Sequence, residues 1–296
     1  MPTFRALGIT LLTMEILFIL FQHIVPQHLL SRCTGWLAEL RQPIWLKNWV
    51  IRRFIRHFNV NMAEAAQPDP QRYANFNDFF TRALQDGARP IADADIVCPA
   101  DGAISQVGAI HDGFLFQAKG RYFSTAALLG GDQVRAAQFA DGQFVTIYLS
   151  PKDYHRVHMP LAGRLAATSY IPGQLFSVNG VTAQNVDNLF ARNERLVCYF
   201  DTDLGPMAMV LVGAMVVAGI ETVWSGRVAP PPKAPVCHDY VDLPAPVTLA
   251  KGEEMGRFML GSTVILLFPG DAMSWGEGYQ AGSATRMGEI LGQKMA

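Results

Sequence analysis

From about residue 95 to residue 268 the chain is written in short apolar or alternating runs, each stopped by Gly, Pro, Asp or Asn. "GFLFQAKGRYF", "QFVTIYLSP", "GRLAATSYIPG" and "ERLVCYFDT" are examples. Side chains on a strand alternate between two faces, and the interrupting residues are those that turn a chain. The pattern therefore predicts many short strands in a largely antiparallel body. The uncharged run "MAMVLVGAMVVAGI" at 207–220 falls short of the ~20 apolar residues of a membrane span. Its valines, with Gly213 and Gly219, predict buried strands instead. "APPPKAP" at 229–235 predicts a stiff, extended edge loop or linker.

The first sixty residues follow another rule. Residues 6–21, "ALGITLLTMEILFILF", are apolar around a central Glu15, too short and too interrupted for a span and without the cleavage site of a signal peptide. A helix lying in the membrane surface is expected. In "WLKNWVIRRFIRHF" (45–58), a 100° step gathers Leu46, Val50, Ile51, Phe54, Ile55 and Phe58 on one face. The same step puts Trp45, Trp49, Arg52, Arg53 and Arg56 on the other. No acidic residue lies between Glu39 and Glu64. Such a helix suits an anionic lipid surface, although a packed helix with a solvated basic face would show the same pattern. The fold class expected is α+β: amphipathic N-terminal helices over 1–60, then a β-rich body over 61–296. After the helices, "QPDPQRYANFNDFFTRAL" predicts a loop and a short helix.

Lys plus Arg (24) nearly balance Asp plus Glu (25), so no overall charge points to nucleic acid. Cys33, Cys98, Cys198 and Cys237 form no C-x-x-C pair, which disfavours a thiolate zinc site and suits a reducing compartment.

Three places carry chemistry: Asp101 in "CPADGAI", His155 and His158 in "SPKDYHRVHMP", and Ser262 in "RFMLGSTVILLF". A serine hydroxyl needs a base, an imidazole serves as one, and a carboxylate can hold the imidazole's tautomer. Asp101, His158 and Ser262 thus compose a candidate triad. Each also has a plain structural reading: an Asx-turn, a hydrogen-bonded histidine, a turn hydroxyl at a bulge or bend. His-x-x-His could ligate zinc, but no further ligand cluster accompanies it, and no metal is expected.

At these residues the chain resembles the phosphatidylserine decarboxylases. "LGST" at 260–263 is similar to their self-processing site. "FNDFFTR" (76–82), "PADG" (99–102), "YHRVHMP" (154–160), "YIPGQLFSVN" (170–179), "QNVDNLFARNER" (184–195), "GAMVVAGIETVW" (213–224) and "KGEEMGRF" (251–258) accompany it in order. The last 28 residues carry less of the likeness.

The resemblance implies that Ser262 attacks the carbonyl of Gly261, that the resulting ester eliminates, and that dehydroalanine hydrolyses to a pyruvoyl group with loss of ammonia. The chain would split between 261 and 262 into a paired heterodimer, 1–261 with 262–296, the flanking runs holding both ends in a sheet. It further implies decarboxylation of phosphatidylserine to phosphatidylethanolamine through a Schiff base with the pyruvoyl group, the electron sink that removal of CO₂ requires. His158, oriented by Asp101, would serve self-cleavage. His155 would protonate the carbon that loses CO₂, and Ser177 would contact substrate. An anionic membrane and the lipid substrate are the expected partners, at the cytoplasmic face of an inner membrane as a peripheral protein; self-association beyond the two-chain unit is left open. Two other readings compete: a membrane-associated serine hydrolase using Asp101, His158 and Ser262, and a β-rich lipid-binding module without activity.

Overall fold

The computed structural model describes residues 14, 15, 17–215, 219–228, 234–260 and 262–295, with Ser262 described by its backbone alone. Its centre is a nine-stranded antiparallel sheet. We label β1 (Gly102–Ala109), β2 (Gln143–Leu149), β3 (Arg156–His158), β4 (Gly163–Ile171), β5 (Arg195–Thr202), β6 (Gly205–Val212), β7 (Gly219–Thr222), β8 (Glu254–Met259) and β9 (Ser262–Phe268). In the large sheet β4, β5, β6, β9, β2 and β1 lie side by side, with Val236–Asp239 beyond β4 and Ala284–Thr285 beyond β1. β3, β8 and β7 belong to a second, four-stranded sheet.

The long apolar runs follow from burial on both faces. Along β9, Val264, Leu266 and Phe268 enter one core cluster, while Ile265 and Leu267 enter another on the opposite side. Alternation sends neighbours to opposite faces, and here neither face meets water, so every position from 264 to 268 is apolar. β6 does the same with Met207, Met209 and Leu211 against Ala208, Val210 and Val212. The four runs quoted first above supply β2, β4, β5 and a separate hairpin, Phe114–Ala118 with Arg121–Ser124. The run at 207–220 enters β6 and β7, with 216–218 outside the described residues. Of the expected linker, 229–233 also lie outside them.

The N-terminal region is helical: α1 (17–24), α2 (Gln27–Glu39) and α3 (Ile44–Phe58), then a short α4 (Phe76–Phe80). Residues 1–13 and 16 of the apolar stretch lie outside the described residues. Among those described, no helix is long and apolar enough to cross a membrane. α3 starts after Pro43 and stops at Asn59 in the left-handed conformation (φ 54°), a common helix end. Its faces divide as the 100° step predicts in the second half of the helix, while Leu46 and Val50 of the expected apolar face are exposed. Ile51 is buried, and Phe54, Ile55 and Phe58 pack with Phe79 and Phe80 of α4, while Trp45, Trp49, Arg52, Arg53 and Arg56 are exposed.

The C-terminal segment, little read from sequence, is woven into the body. Ile290–Lys294 pairs with Ile96–Val97 and with Met273–Trp275, and Ala284–Thr285 pairs with Ala103 and Gly102.

Candidate active site

"RFMLGSTVILLF" is not one bulged strand. It is a change of sheet. β8 ends at Met259, paired with Gly219 in the small sheet, and β9 begins at Ser262, paired with Leu149 in the large one. The two flanking runs therefore sit in different sheets, not in one as expected from sequence. The apolar runs alone could not show this, because each has a complete set of strand partners. Gly261 lies outside the described residues. Leu260 takes φ 79°, a left-handed conformation that costs a residue with a Cβ about 1–2 kcal/mol. Backbone strain thus stands next to the Gly261–Ser262 bond.

Register shows what surrounds that bond. Thr263 stands between Val212 and Tyr148, and Tyr148 stands opposite Ala103. One residue further, Gly213, Ser262, Leu149 and the turn before β1 come to the same end of the sheet. Asp101 closes that turn two strands from Ser262, or about 10 Å at the usual strand spacing. The approach needs Gly102: a Cβ there would meet the Tyr148 carbonyl oxygen at 2.3 Å.

His155 lies in the loop between β2 and β3, fully buried, its ring 4.0 Å from that of Phe80. Its carbonyl accepts the Phe258 amide at 3.0 Å, fixing it beside the last turn of β8. Nδ1 donates to the Asp153 carbonyl at 2.9 Å, so Nε2 carries the lone pair, and among the described residues it has no partner. Burial, reinforced by the Arg82 charge, holds the imidazole down at about 3. It is a neutral base with its acceptor free. Arg82 stands behind it, donating to the carbonyls of Lys152 (3.1 Å) and Asp153 (3.4 Å).

His158 pairs with Glu254 across β3 and β8, and its amide donates to the Pro99 carbonyl at 2.8 Å. That bond ties it to the turn bearing Asp101. The two side chains nonetheless have other partners. His158 Nδ1 donates to the Gly252 carbonyl at 2.9 Å, and Nε2 accepts from the Tyr154 hydroxyl at 3.0 Å. Asp101 receives Arg89 Nε at 2.9 Å and the Met287 amide at 2.9 Å. Burial again lowers the His158 imidazole, while the Glu254 and Asp101 charges raise it. The Gly252 carbonyl, not a carboxylate, fixes the tautomer, and Asp101 acts through its field.

Ser177 is half-buried in the loop after β4. The Gln174 amide donates to the Arg192 carbonyl at 2.8 Å, the Glu194 amide to Gln174, and the Gly213 amide to Glu194. This chain of bonds lays the Ser177 loop beside Gly213, next to Ser262. Sequence reading assigned no role to Tyr154, Gly252, Arg89 or Asn193. Tyr154 and Gly252 sit inside quoted motifs, whereas nothing in "QDGARP" marks Arg89.

The described residues thus define an α+β protein whose histidine-bearing loop closes over a strained change of sheet. The model of the family described as "Phosphatidylserine decarboxylase" matches residues 76–293, and one described as "PSD" matches 17–59. A phosphatidylserine decarboxylase proenzyme of Hahella chejuensis is 57% identical over 279 residues, 94% of this chain and 93% of that one. The proenzyme of Stutzerimonas stutzeri is 58% identical over 280 residues, 94% of each. That of Azotobacter vinelandii is 56% identical over 280 residues, 94% of this chain and 98% of that one. The chain belongs to the phosphatidylserine decarboxylase family.

Proposed function

We propose that this chain is a proenzyme that cuts itself between Gly261 and Ser262 and then decarboxylates phosphatidylserine to phosphatidylethanolamine. The observation that carries the reading is the buried His155 Nε2 lone pair, without a partner among the described residues, on a residue bonded to β8 two positions before Leu260. In this reading residues 1–60 form a membrane-associating region and 61–296 the catalytic body.

For self-cleavage, the base needs a lone pair. His158 Nε2 has one, currently accepting from Tyr154, and would take the Ser262 proton once the phenol moves aside. Strain at Leu260 raises the ground state next to the bond to be broken. The fragments would then stay together, because β9 lies between β6 and β2 and Ala284–Thr285 pairs with β1 of the same sheet.

A pyruvoyl group left at position 262 supplies the electron sink for loss of CO₂. The residues present fit it: His155 Nε2 is buried without a partner among the described residues, and its ring lies against Phe80. Before a substrate amine can attack a carbonyl, its ammonium must give up a proton, and His155 Nε2 would accept it. The imidazolium so formed, disfavoured by burial, would pass a proton to the carbon that has lost CO₂. Ser177 would contact the substrate headgroup from its loop.

The membrane enters through the helices. Leu17, Leu20, Phe21, Ile24, Trp36 and Trp45 are all more than half exposed, and the exposed α3 arginines share a helix with Trp45. Between α2 and α3 an apolar cavity of about 400 Å³ runs inward to Phe76 and Leu260, a path for acyl chain and glycerol towards residue 262. The protein would sit as a peripheral partner of an anionic bilayer, on the cytoplasmic face of the inner membrane. The free thiols of Cys33 and Cys237 on the surface suit that side.

CO₂ release from phosphatidylserine vesicles tests the activity. The purified protein should release CO₂, and Ser262→Ala should release none. Equal release from both proteins would refute the reading.

A further inference from the structure

Among the described residues, three consecutive amides of the Ser177 loop have side-chain and not backbone acceptors. Leu175 donates to Gln27 Oε1 at 2.7 Å, Phe176 to Asn193 Oδ1 at 3.1 Å, and Ser177 to Gln22 Oε1 at 2.7 Å. Two of the three acceptors come from the N-terminal helices, about 150 residues away in sequence. Gln22 is fully buried, while its neighbours Phe21 and Ile24 are exposed. Gln27 Nε2 donates to the Gln22 carbonyl at 2.7 Å, linking the two glutamines, and the His23 ring lies 4.9 Å from that of Phe176. α1 thus has one face for solvent or lipid and one that grips the loop.

An amphipathic helix serving only as an anchor has no need of a buried amide side chain. Glutamine is costly to bury unless its carbonyl is used, and here it is used on a loop beside Ser262. From this we infer that Gln22 and Gln27 are positioning residues. They hold the Ser177 loop in the shape that receives the substrate headgroup, which makes the membrane-facing helix a structural part of the catalytic centre. This rests on the proposed role of Ser177 as a substrate contact.

The test uses the full-length protein carrying Gln22→Met and Gln27→Met, which keep side-chain length and lose the acceptors. Completeness of self-cleavage serves as the check on folding. Two readouts follow: hydrogen exchange at the Leu175 and Ser177 amides, and KM and kcat on a short-chain phosphatidylserine dispersed in detergent, where no bilayer is needed. Exchange at both amides should speed up at least tenfold and KM should rise about tenfold, with kcat changed less than threefold. Unchanged exchange would overturn the inference, and so would faster exchange with an unchanged KM. If the paired substitution prevents cleavage, the single variants are read by the same criteria. Ser177→Ala separates the two layers. Should it leave KM untouched, the substrate role of the loop fails. Should it raise KM while the glutamine variants do not, only the positioning role fails.

Discussion

At the scale of single residues, the account turns on two imidazoles with different environments. Among the described residues His155 Nε2 has no partner, whereas His158 Nε2 is held by the Tyr154 hydroxyl. His155→Ala should therefore still split into two chains yet lose about a hundredfold or more in CO₂ release, the range for a lost acid–base group. Normal turnover would remove its role. Tyr154→Phe makes a sharper distinction. The phenol occupies the lone pair that His158 would need, so the variant should cleave itself at least as fast as the parent, followed as precursor remaining against time. Slower cleavage would mean that the hydroxyl takes part. The residue types at these positions were legible in sequence, because a serine, two histidines and an aspartate fall in a family-like order. Their pairings were not. A tautomer is set by whichever carbonyl comes within 3 Å, and no sequence pattern announced that Gly252 would do for His158 what a carboxylate was expected to do.

At the scale of elements, strand and helix types followed from period and punctuation, and β4, β5 and the faces of α3 needed little more. The change of sheet after Met259 was hidden for a physical reason: both flanking runs are mostly apolar, and each reads as a strand whichever sheet it joins. The C-terminal strands were hidden because they are short and pair with segments almost 200 residues earlier. Two predictions belong here. Gly102→Ala would push a Cβ towards the Tyr148 carbonyl and force β1 away from β2. In an uncleavable Ser262→Ala background, thermal or denaturant unfolding should show a loss of about 1–3 kcal/mol. On α3, replacing Arg52, Arg53 and Arg56 by Gln should weaken binding to anionic vesicles by about 1 kcal/mol for each charge. That loss should shrink in high salt. Co-sedimentation measures it, and unchanged binding would reassign this face to ordinary solvation.

At the scale of the whole molecule, the fold is arranged so that breaking one bond leaves the architecture standing. β9 is an interior strand with neighbours on both sides, and the segment after it crosses back to pair with residues 96–103. Burial of the histidines also sets a direction for acid stability. His155 is held at about 3 against 6.5 in a free side chain, so between those values the unfolded chain binds more protons than the folded one. Stability is therefore full above about pH 6.5 and falls as pH drops. Melting of the Ser262→Ala precursor should fall between pH 7 and pH 4, and His155→Gln should flatten that slope. Glu194, whose carboxyl is raised by burial, works in the opposite direction, so the comparison between the two variants isolates the histidine.

One intact-mass measurement of the purified protein under denaturing conditions bears most directly on the central claim. Two chains should appear, one ending at Gly261 and one beginning at position 262, the smaller lighter by one ammonia than a free serine terminus would make it. A single full-length mass from protein that still releases CO₂ from phosphatidylserine would contradict the account.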